Sequence, residues 1–193
     1  MTDYSDDIAA AVEHLKKGGI ILYPTDTVWG LGCDATNDRA VARIFEIKRR
    51  SDSKALITLV GSIDQLLRTA EDVPDVALQL IEYSERPVTI VYDSPLASAH
   101  LAPALLADDG SIGIRVTAES FSSQLCRAFR RPLVSTSANV SGQPTPMCFA
   151  EISDDIRNAV DYICQSRRAE GPAAAPSTVI RLHSDGRFKL IRP

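Results

Sequence analysis

The chain has 193 residues, 45% hydrophobic and 24% charged, with a formal net charge of −4, which suits one sizeable core in a water-soluble domain. No stretch approaches the roughly 20 apolar residues of a membrane span. The opening Met1-Thr2-Asp3-Tyr4-Ser5-Asp6-Asp7 is acidic and lacks the basic start and apolar core of a leader, so a single cytosolic domain over residues 1–193 is expected. The acidic balance argues against non-specific coating of nucleic acid and still permits a local basic pocket.

In chain order, Ser5 is expected to cap a first helix, with Asp6 and Asp7 in its opening turn and Ile8, Ala11, Val12 and Leu15 as its apolar stripe. Residues 20–23 are apolar without alternation, the pattern of a central strand covered on both faces. Pro24 stops them. Residues 28–33 suggest a second short strand, and Thr36 or Asn37 caps a helix carrying Val41, Ile44, Phe45 and Lys48 on one face. Residues 55–60 read as a strand. Ser62 to Gln65 spell a capping box, and Pro74 separates that helix from another over residues 75–84. Residues 88–92 and 111–116 read as strands, 94–110 as an irregular excursion, and 119–129 as a helix. A short strand at 132–134 runs into the hydroxyl-rich Ser135-Thr136-Ser137-Ala138-Asn139-Val140-Ser141-Gly142. A helix at 152–160, a brief strand at 162–164 and a stiff connector at 171–176 precede a hairpin, residues 177–182 and 187–192 about Ser184-Asp185-Gly186. Strands interleave with helices throughout, predicting an α/β (α+β) domain around one twisted mixed sheet.

Cys33, Cys126, Cys148 and Cys164 contain no C-x-x-C pair, and His14, His100 and His183 are dispersed. Buried reduced thiols are expected, and zinc or histidine-cluster chemistry is disfavoured. Gly30-x-Gly32-x-x-Ala35, with Asp52 about 20 residues on, superficially resembles a dinucleotide fingerprint. The spacing from the preceding strand is wrong, and Asp34 stands where a pyrophosphate needs bare amides. A P-loop and a G-x-S-x-G elbow are both missing from the sequence.

Three other clusters are more informative. Residues 135–141 gather hydroxyls and an amide after an apolar strand, where α/β sheets bind ligands; a solvated turn is the plain alternative. Arg115 interrupts an apolar strand, and a buried guanidinium needs an anion, either a ligand or one of the chain's own aspartates. Lys48, Arg50 and Lys54 cannot share one helical face, so part of that run is loop, able to wrap phosphates or simply to end a helix in solvent.

Together these pieces resemble the YrdC-type threonylcarbamoyl-AMP synthase family, in its short single-domain form. The matching residues are Tyr23-Pro24-Thr25-Asp26-Thr27-Val28-Trp29-Gly30-Leu31-Gly32, Lys48-x-Arg50 with Lys54 and Leu56, Ile114-Arg115-Val116, Ser135-Thr136-Ser137-Ala138-Asn139 with Ser141-Gly142, Pro176-Ser177-Thr178-Val179 and Ile191-Arg192-Pro193. The resemblance implies an open, strongly twisted mixed sheet with surrounding helices and a deep central cleft. It also implies an activity: L-threonine, bicarbonate and ATP, with Mg2+, give threonylcarbamoyl-AMP and pyrophosphate for the threonylcarbamoyl-adenosine modification of tRNA. Carried across by motif, Thr27, Arg115, Ser135 and Ser177 hold threonine. Lys48, Arg50, Lys54, Ser111, Ser137, Asn139, Thr145 and Arg192 hold ATP, with Lys48 and Arg50 as electrostatic stabilisers and no covalent nucleophile. Weak tRNA or double-stranded RNA binding and downstream transfer proteins are the implied partners. The alternative functions are a non-catalytic RNA-binding module of the same fold and, less fittingly, carbamoyl transfer in hydrogenase maturation. Leu59 departs from the pattern, standing where many longer relatives carry His.

Overall fold

The computed structural model describes residues 3–49, 56–171 and 176–193. Nine strands form one mixed sheet in the order β7-β1-β2-β6-β3-β5-β4-β8-β9. They are β1 (Ile21–Tyr23), β2 (Gly30–Gly32), β3 (Ile57–Val60), β4 (Val88–Tyr92), β5 (Ile112–Val116), β6 (Leu133–Ser137), β7 (Tyr162–Ile163), β8 (Thr178–Leu182) and β9 (Phe188–Arg192). The helices are α1 (Ser5–Lys16), α2 (Asp38–Ile47), α3 (Ile63–Leu67), α4 (Asp75–Tyr83), α5 (Ser120–Phe129) and α6 (Asp154–Ala159). β1/β7, β3/β5 and β4/β8 are parallel and the other pairs antiparallel. This is the expected twisted mixed sheet with helices around it.

Side-chain alternation divides the apolar residues between two cores. Leu59 joins the larger one, with α1, α2, α5, β1, β2 and β6, while Val60 joins a smaller one with Ile112, Ile114, Ile90 and Ala77. Successive residues of a strand face opposite sides, so Arg115, flanked by Ile114, is turned away from the smaller core. It is register-paired with Leu59 across the parallel β3/β5 ladder.

Local chemistry explains most boundaries. Asn37, not Thr36, caps α2, its side chain accepting from the Arg39 and Ala40 amides, both at 3.1 Å. Glu119 caps α5 through both carboxylate oxygens, onto the Phe121 amide at 2.8 Å and the Ser122 amide at 2.7 Å. Two caps differ from expectation. Tyr4 occupies the N-cap of α1, and the Ser5 hydroxyl turns back onto the Asp3 carboxylate. The capping box is half formed: Ser62 accepts from the Gln65 amide, but Gln65 reaches the Gly61 amide at 2.7 Å. Gly61 lies hard against α5, where a Cβ would come within 2.6 Å of the Ser123 carbonyl, so Gln65 also spans to the Cys126 carbonyl.

The expected helix at 152–160 is present as the shorter α6, and a 3-10 turn (Phe149–Glu151) precedes it. β6 continues through Ser137, so the first hydroxyls of the 135–141 cluster lie on the strand rather than beyond it. Cys33, Cys126 and Cys164 are buried and Cys148 half-buried, all as free thiols. Burial pushes the Cys126 thiol up to about 12 and raises Cys33 and Cys164 as well.

Candidate active site

The segment between β1 and β2 sets up the site. Pro24 cannot donate to a ladder and ends β1. Thr25 then folds the turn on itself: its hydroxyl donates to the Val28 carbonyl at 2.7 Å, accepts from the Thr27 amide at 3.1 Å, and lies 3.1 Å from the Thr27 hydroxyl. Because the single Thr25 proton is committed to Val28, the Thr27 hydroxyl must be the donor between them. Its oxygen therefore offers only lone pairs to whatever enters.

Arg115 reaches this turn from β5. Its Nη2 lies 3.0 Å from the Asp26 carboxylate, with the guanidinium side chain 4% exposed. The ion-pair alternative is thus realised in part, yet Nε is buried without a hydrogen-bond partner among the described residues. A buried charged N–H left unpaired is costly, and Asp26 Oδ1, the oxygen facing Arg115, also makes no hydrogen bond among the described residues, so the contact is one of charge and leaves Arg115 half satisfied. Burial raises the Asp26 carboxyl above its ordinary value, and the Arg115 charge opposes that rise.

Thr27, Arg115, Ser135 and Ser177, drawn from four separate parts of the sequence, line one cavity of about 240 Å3 together with Ser137, Thr145 and Arg192. Ser177, just ahead of β8, is held by the Thr89 hydroxyl at 2.9 Å, and its carbonyl accepts from Arg192 Nη2 at 2.8 Å and Nε at 3.1 Å. Arg192 reaches Ser177 because β9 pairs back on β8, with Val179 opposite Arg192. The hairpin therefore places the last cation of the sequence at the cavity wall.

The remaining predicted nucleotide residues separate by position. Lys48, the C-cap of α2, is buried and donates from Nζ to the Ser137 carbonyl at 2.6 Å and the Asn139 carbonyl at 2.8 Å. It staples the hydroxyl-rich turn to the end of the helix. Asn139 does not line the cavity; its Oδ1 accepts from the Ser137 hydroxyl and its Nδ2 donates to the Gln143 carbonyl at 2.7 Å, fixing the turn from behind. Ser111 lies outside the cavity lining, its hydroxyl and amide both on Asp109. Arg50 and Lys54 lie outside the described residues.

Sequence reasoning did not single out three groups that support this wall: Thr25 as the organiser of the turn, Asp26 as the particular partner of Arg115, and Glu119 with Arg167 behind them. Asp26 was legible as one acid in the Pro24-to-Gly32 run, but pairing it with Arg115 requires the sheet.

The glycines of β2 also have a steric reason. A Cβ on Gly32 would lie 2.7 Å from a Tyr23 ring carbon and 2.9 Å from the Val134 carbonyl, and one on Gly30 would lie 3.3 Å from Thr25 Cγ2 and 3.5 Å from the Ser135 hydroxyl. They clear room for a ring and a cavity. Trp29, between them and Thr27, is buried against Phe149 with ring centroids 4.9 Å apart.

A larger concavity, about 430 Å3, opens at the other end of β6 and is lined by Arg68, Arg130, Arg131 and His100. None of the predicted site residues borders it. Arg131 and Arg68 are already paired with Asp34 and Asp64, so volume alone does not make it the better substrate site. Among the described residues no cluster of three or more His, Cys, Asp or Glu is placed to hold a metal ion. No helix among them is long and apolar enough to cross a membrane.

Comparison with known proteins identifies the family. A protein of Chromohalobacter salexigens named threonylcarbamoyl-AMP synthase is 38% identical over 188 residues, covering 95% of this chain and 97% of the relative. The crystal structure of P. abyssi Sua5 complexed with L-threonine superposes with a TM-score of 0.84 at 28% identity, covering 96% of this chain and 53% of that one. The chain thus spans about half the length of that neighbour. The crystal structure of E. coli YciO gives a TM-score of 0.82 at 28% identity, covering 99% and 90%. With residues 13–193 matching the Sua5/YciO/YrdC family, described as Telomere recombination, the chain belongs to that family.

Proposed function

We infer that the chain is an L-threonylcarbamoyladenylate synthase, a nucleotidyltransferase that takes L-threonine, bicarbonate and ATP to threonylcarbamoyl-AMP and pyrophosphate. The observation that carries the reading is Arg115: a buried guanidinium half satisfied by Asp26 and bordering a cavity otherwise walled by hydroxyls. Such a group suits an amino-acid carboxylate. Thr27, with only lone pairs to offer, suits the N–H of the amine or of the carbamate made from it. Ser135 and Ser177 complete the threonine end.

In the reaction, the threonine nitrogen bonds to the carbon of bicarbonate with loss of water. An oxygen of the resulting carbamate attacks the α-phosphorus of ATP, and the bond to pyrophosphate breaks. No side chain has to act as a nucleophile. The protein's part is alignment and neutralisation of developing charge. Ser137, Thr145 and Arg192 adjoin the threonine end and are assigned to the nucleotide, as are Arg50 and Lys54. Lys48 contributes by fixing the Ser137–Asn139 backbone, and magnesium enters as the counter-ion of the nucleotide. The product feeds threonylcarbamoyl-adenosine formation in tRNA through downstream transfer proteins. A binding module that held RNA without chemistry would have no need of an amino-acid-sized hydroxyl cavity built around a buried arginine.

The test is pyrophosphate release from Mg·ATP by the purified chain. Release that requires both threonine and bicarbonate supports the assignment; release indifferent to either removes it. Arg50→Ala is expected to abolish adenylate formation while leaving the melting temperature unchanged, and near-normal turnover would mean that the nucleotide lies elsewhere.

A further inference from the structure

The turn at residues 24–28 borders two hollows. The cavity of about 240 Å3 holds Thr25, Thr27 and Val28 in one wall. A second hollow of about 200 Å3 borders the same three residues together with Asp26, Met147 and Arg167. Trp29 anchors one end of the turn in the core, while the part that borders the hollow has few packing neighbours there and is positioned by polar tethers. Two are present. One is Asp26 on Arg115. The other is Arg167, whose Nη1 donates to the Thr25 carbonyl at 3.2 Å.

Arg167 is itself set with care. The segment before it is pinned by Asp7 of α1, which accepts from the Gln165 amide at 3.0 Å and the Ser166 amide at 2.7 Å. Its own backbone is left-handed, φ 61°, a conformation in which a non-glycine residue is strained. Its guanidinium is only about one-fifth exposed and lies 2.9 Å from Glu119 and 2.7 Å from Glu170. Glu119 is also the cap of α5 and follows β5, the strand that carries Arg115. Arg167 therefore ties the Thr25 turn to the same end of the sheet from which Arg115 projects.

We propose that Arg167 is a positioning residue for the threonine end of the site, tethering the Thr25 carbonyl at the second hollow so that Thr27 and the Arg115–Asp26 pair keep their mutual geometry. The proposal rests on the threonine-site reading above. Arg168, next in the chain, provides the contrast: it donates to the Cys164 and Ile163 carbonyls and covers the Phe149 ring, touching nothing on the turn.

The experiment compares wild type, Arg167→Met, Arg167→Lys and Arg168→Lys as full chains, by calorimetric titration with threonine and by steady-state pyrophosphate release. Arg167→Met is expected to raise both the threonine Kd and the threonine KM on the order of tenfold, with the ATP KM held within about twofold. Arg167→Lys, which keeps one donor and the charge, is expected to recover part of the loss, and Arg168→Lys to leave both KM values unchanged. A threonine Kd within about twofold of wild type in Arg167→Met overturns the tether. So does a parallel rise of the threonine and ATP KM values. Should Arg167→Met fail to fold, Arg167→Lys decides alone: a threonine-selective KM rise supports the tether and an unchanged one overturns it. A wild type that binds no threonine would remove the site reading, and the tether with it.

Discussion

Gly30 and Gly32 stand two residues apart on β2, and their side-chain directions face the same way, yet alanine is expected to act differently at each. At Gly32 the new methyl would sit 2.7 Å from Tyr23 Cε1 and 2.9 Å from the Val134 carbonyl, roughly 1 Å inside ordinary carbon contact. Neither neighbour can yield: the Tyr23 ring is fully buried and Val134 is core backbone. Overpacking of this kind costs about 1–3 kcal/mol. For a domain of this size each kcal/mol lowers the melting temperature by roughly 2–4 °C, so Gly32→Ala should melt about 2–12 °C below wild type. At Gly30 the nearest atoms lie at 3.3, 3.4 and 3.5 Å, two of them on Thr25 and Ser135 in the cavity wall. A shift of a few tenths of an ångström accommodates the methyl, which then occupies substrate space. Gly30→Ala should keep its melting temperature and lose threonine affinity on the order of tenfold, about 1.4 kcal/mol. Scanning calorimetry and threonine titration of both variants provide the assay. If Gly32→Ala melts with wild type, or if Gly30→Ala loses as much stability as Gly32→Ala, the packing reading of this strand is wrong.

Three further outcomes follow from the site. Because burial raises the Asp26 carboxyl, its contribution to stability is fully present below the ordinary carboxylate range and is lost as pH rises through the raised folded value. Asp26→Asn removes this dependence, so its stability relative to wild type should improve as pH climbs through that interval in denaturant titrations; a difference independent of pH would contradict the shift. Lys48→Met removes the one ammonium that donates to both the Ser137 and Asn139 carbonyls, each hydrogen bond worth about 1.5–3 kcal/mol, and should lower stability and raise the ATP KM together. An ATP KM unchanged in a destabilised Lys48→Met would separate the staple from the nucleotide. Arg192 lies on the exposed strand β9 and donates to the Ser177 carbonyl; Arg192→Ala should weaken substrate binding with a smaller loss of melting temperature than Lys48→Met, measured by the same titrations.

Legibility from sequence followed the range of the interaction. The α1 stripe Ile8, Ala11, Val12 and Leu15 is buried as its period required, and β4 matches its predicted bounds because a β-branched run between turn residues has few other options. The hairpin of β8 and β9 was equally plain from Ser184-Asp185-Gly186. What local pattern could not decide was set by partners far along the chain. β6 keeps pairing through Ser137 because Gly30 lies opposite it, although Ser and Thr there read as a turn. Gly30 and Gly32 mimicked a phosphate-binding pattern, whereas their surroundings are a tyrosine ring and a serine hydroxyl. In the site, the family motifs marked Thr27, Arg115, Ser135, Ser137, Ser177 and Arg192, which border the cavity, and also Lys48 and Asn139, which fix its turn from behind. Lys48 carries a charge that suggests phosphate, and its carbonyl partners lie about 90 residues away. Arg167 belongs to no periodic element, and only the fold brings it to Thr25.

The three interior sulfurs give this enzyme a built-in reporter. Alkylation needs thiolate and access, and Cys33, Cys126 and Cys164 are denied both while the chain is native; only half-buried Cys148 is within reach of a reagent. Cys33 follows β2, Cys126 sits in α5 and Cys164 follows β7, so the labelling rates of these sulfurs time the opening of three separate regions. Mass-resolved labelling with and without threonine would then show which region the substrate holds shut, with no probe added to the protein.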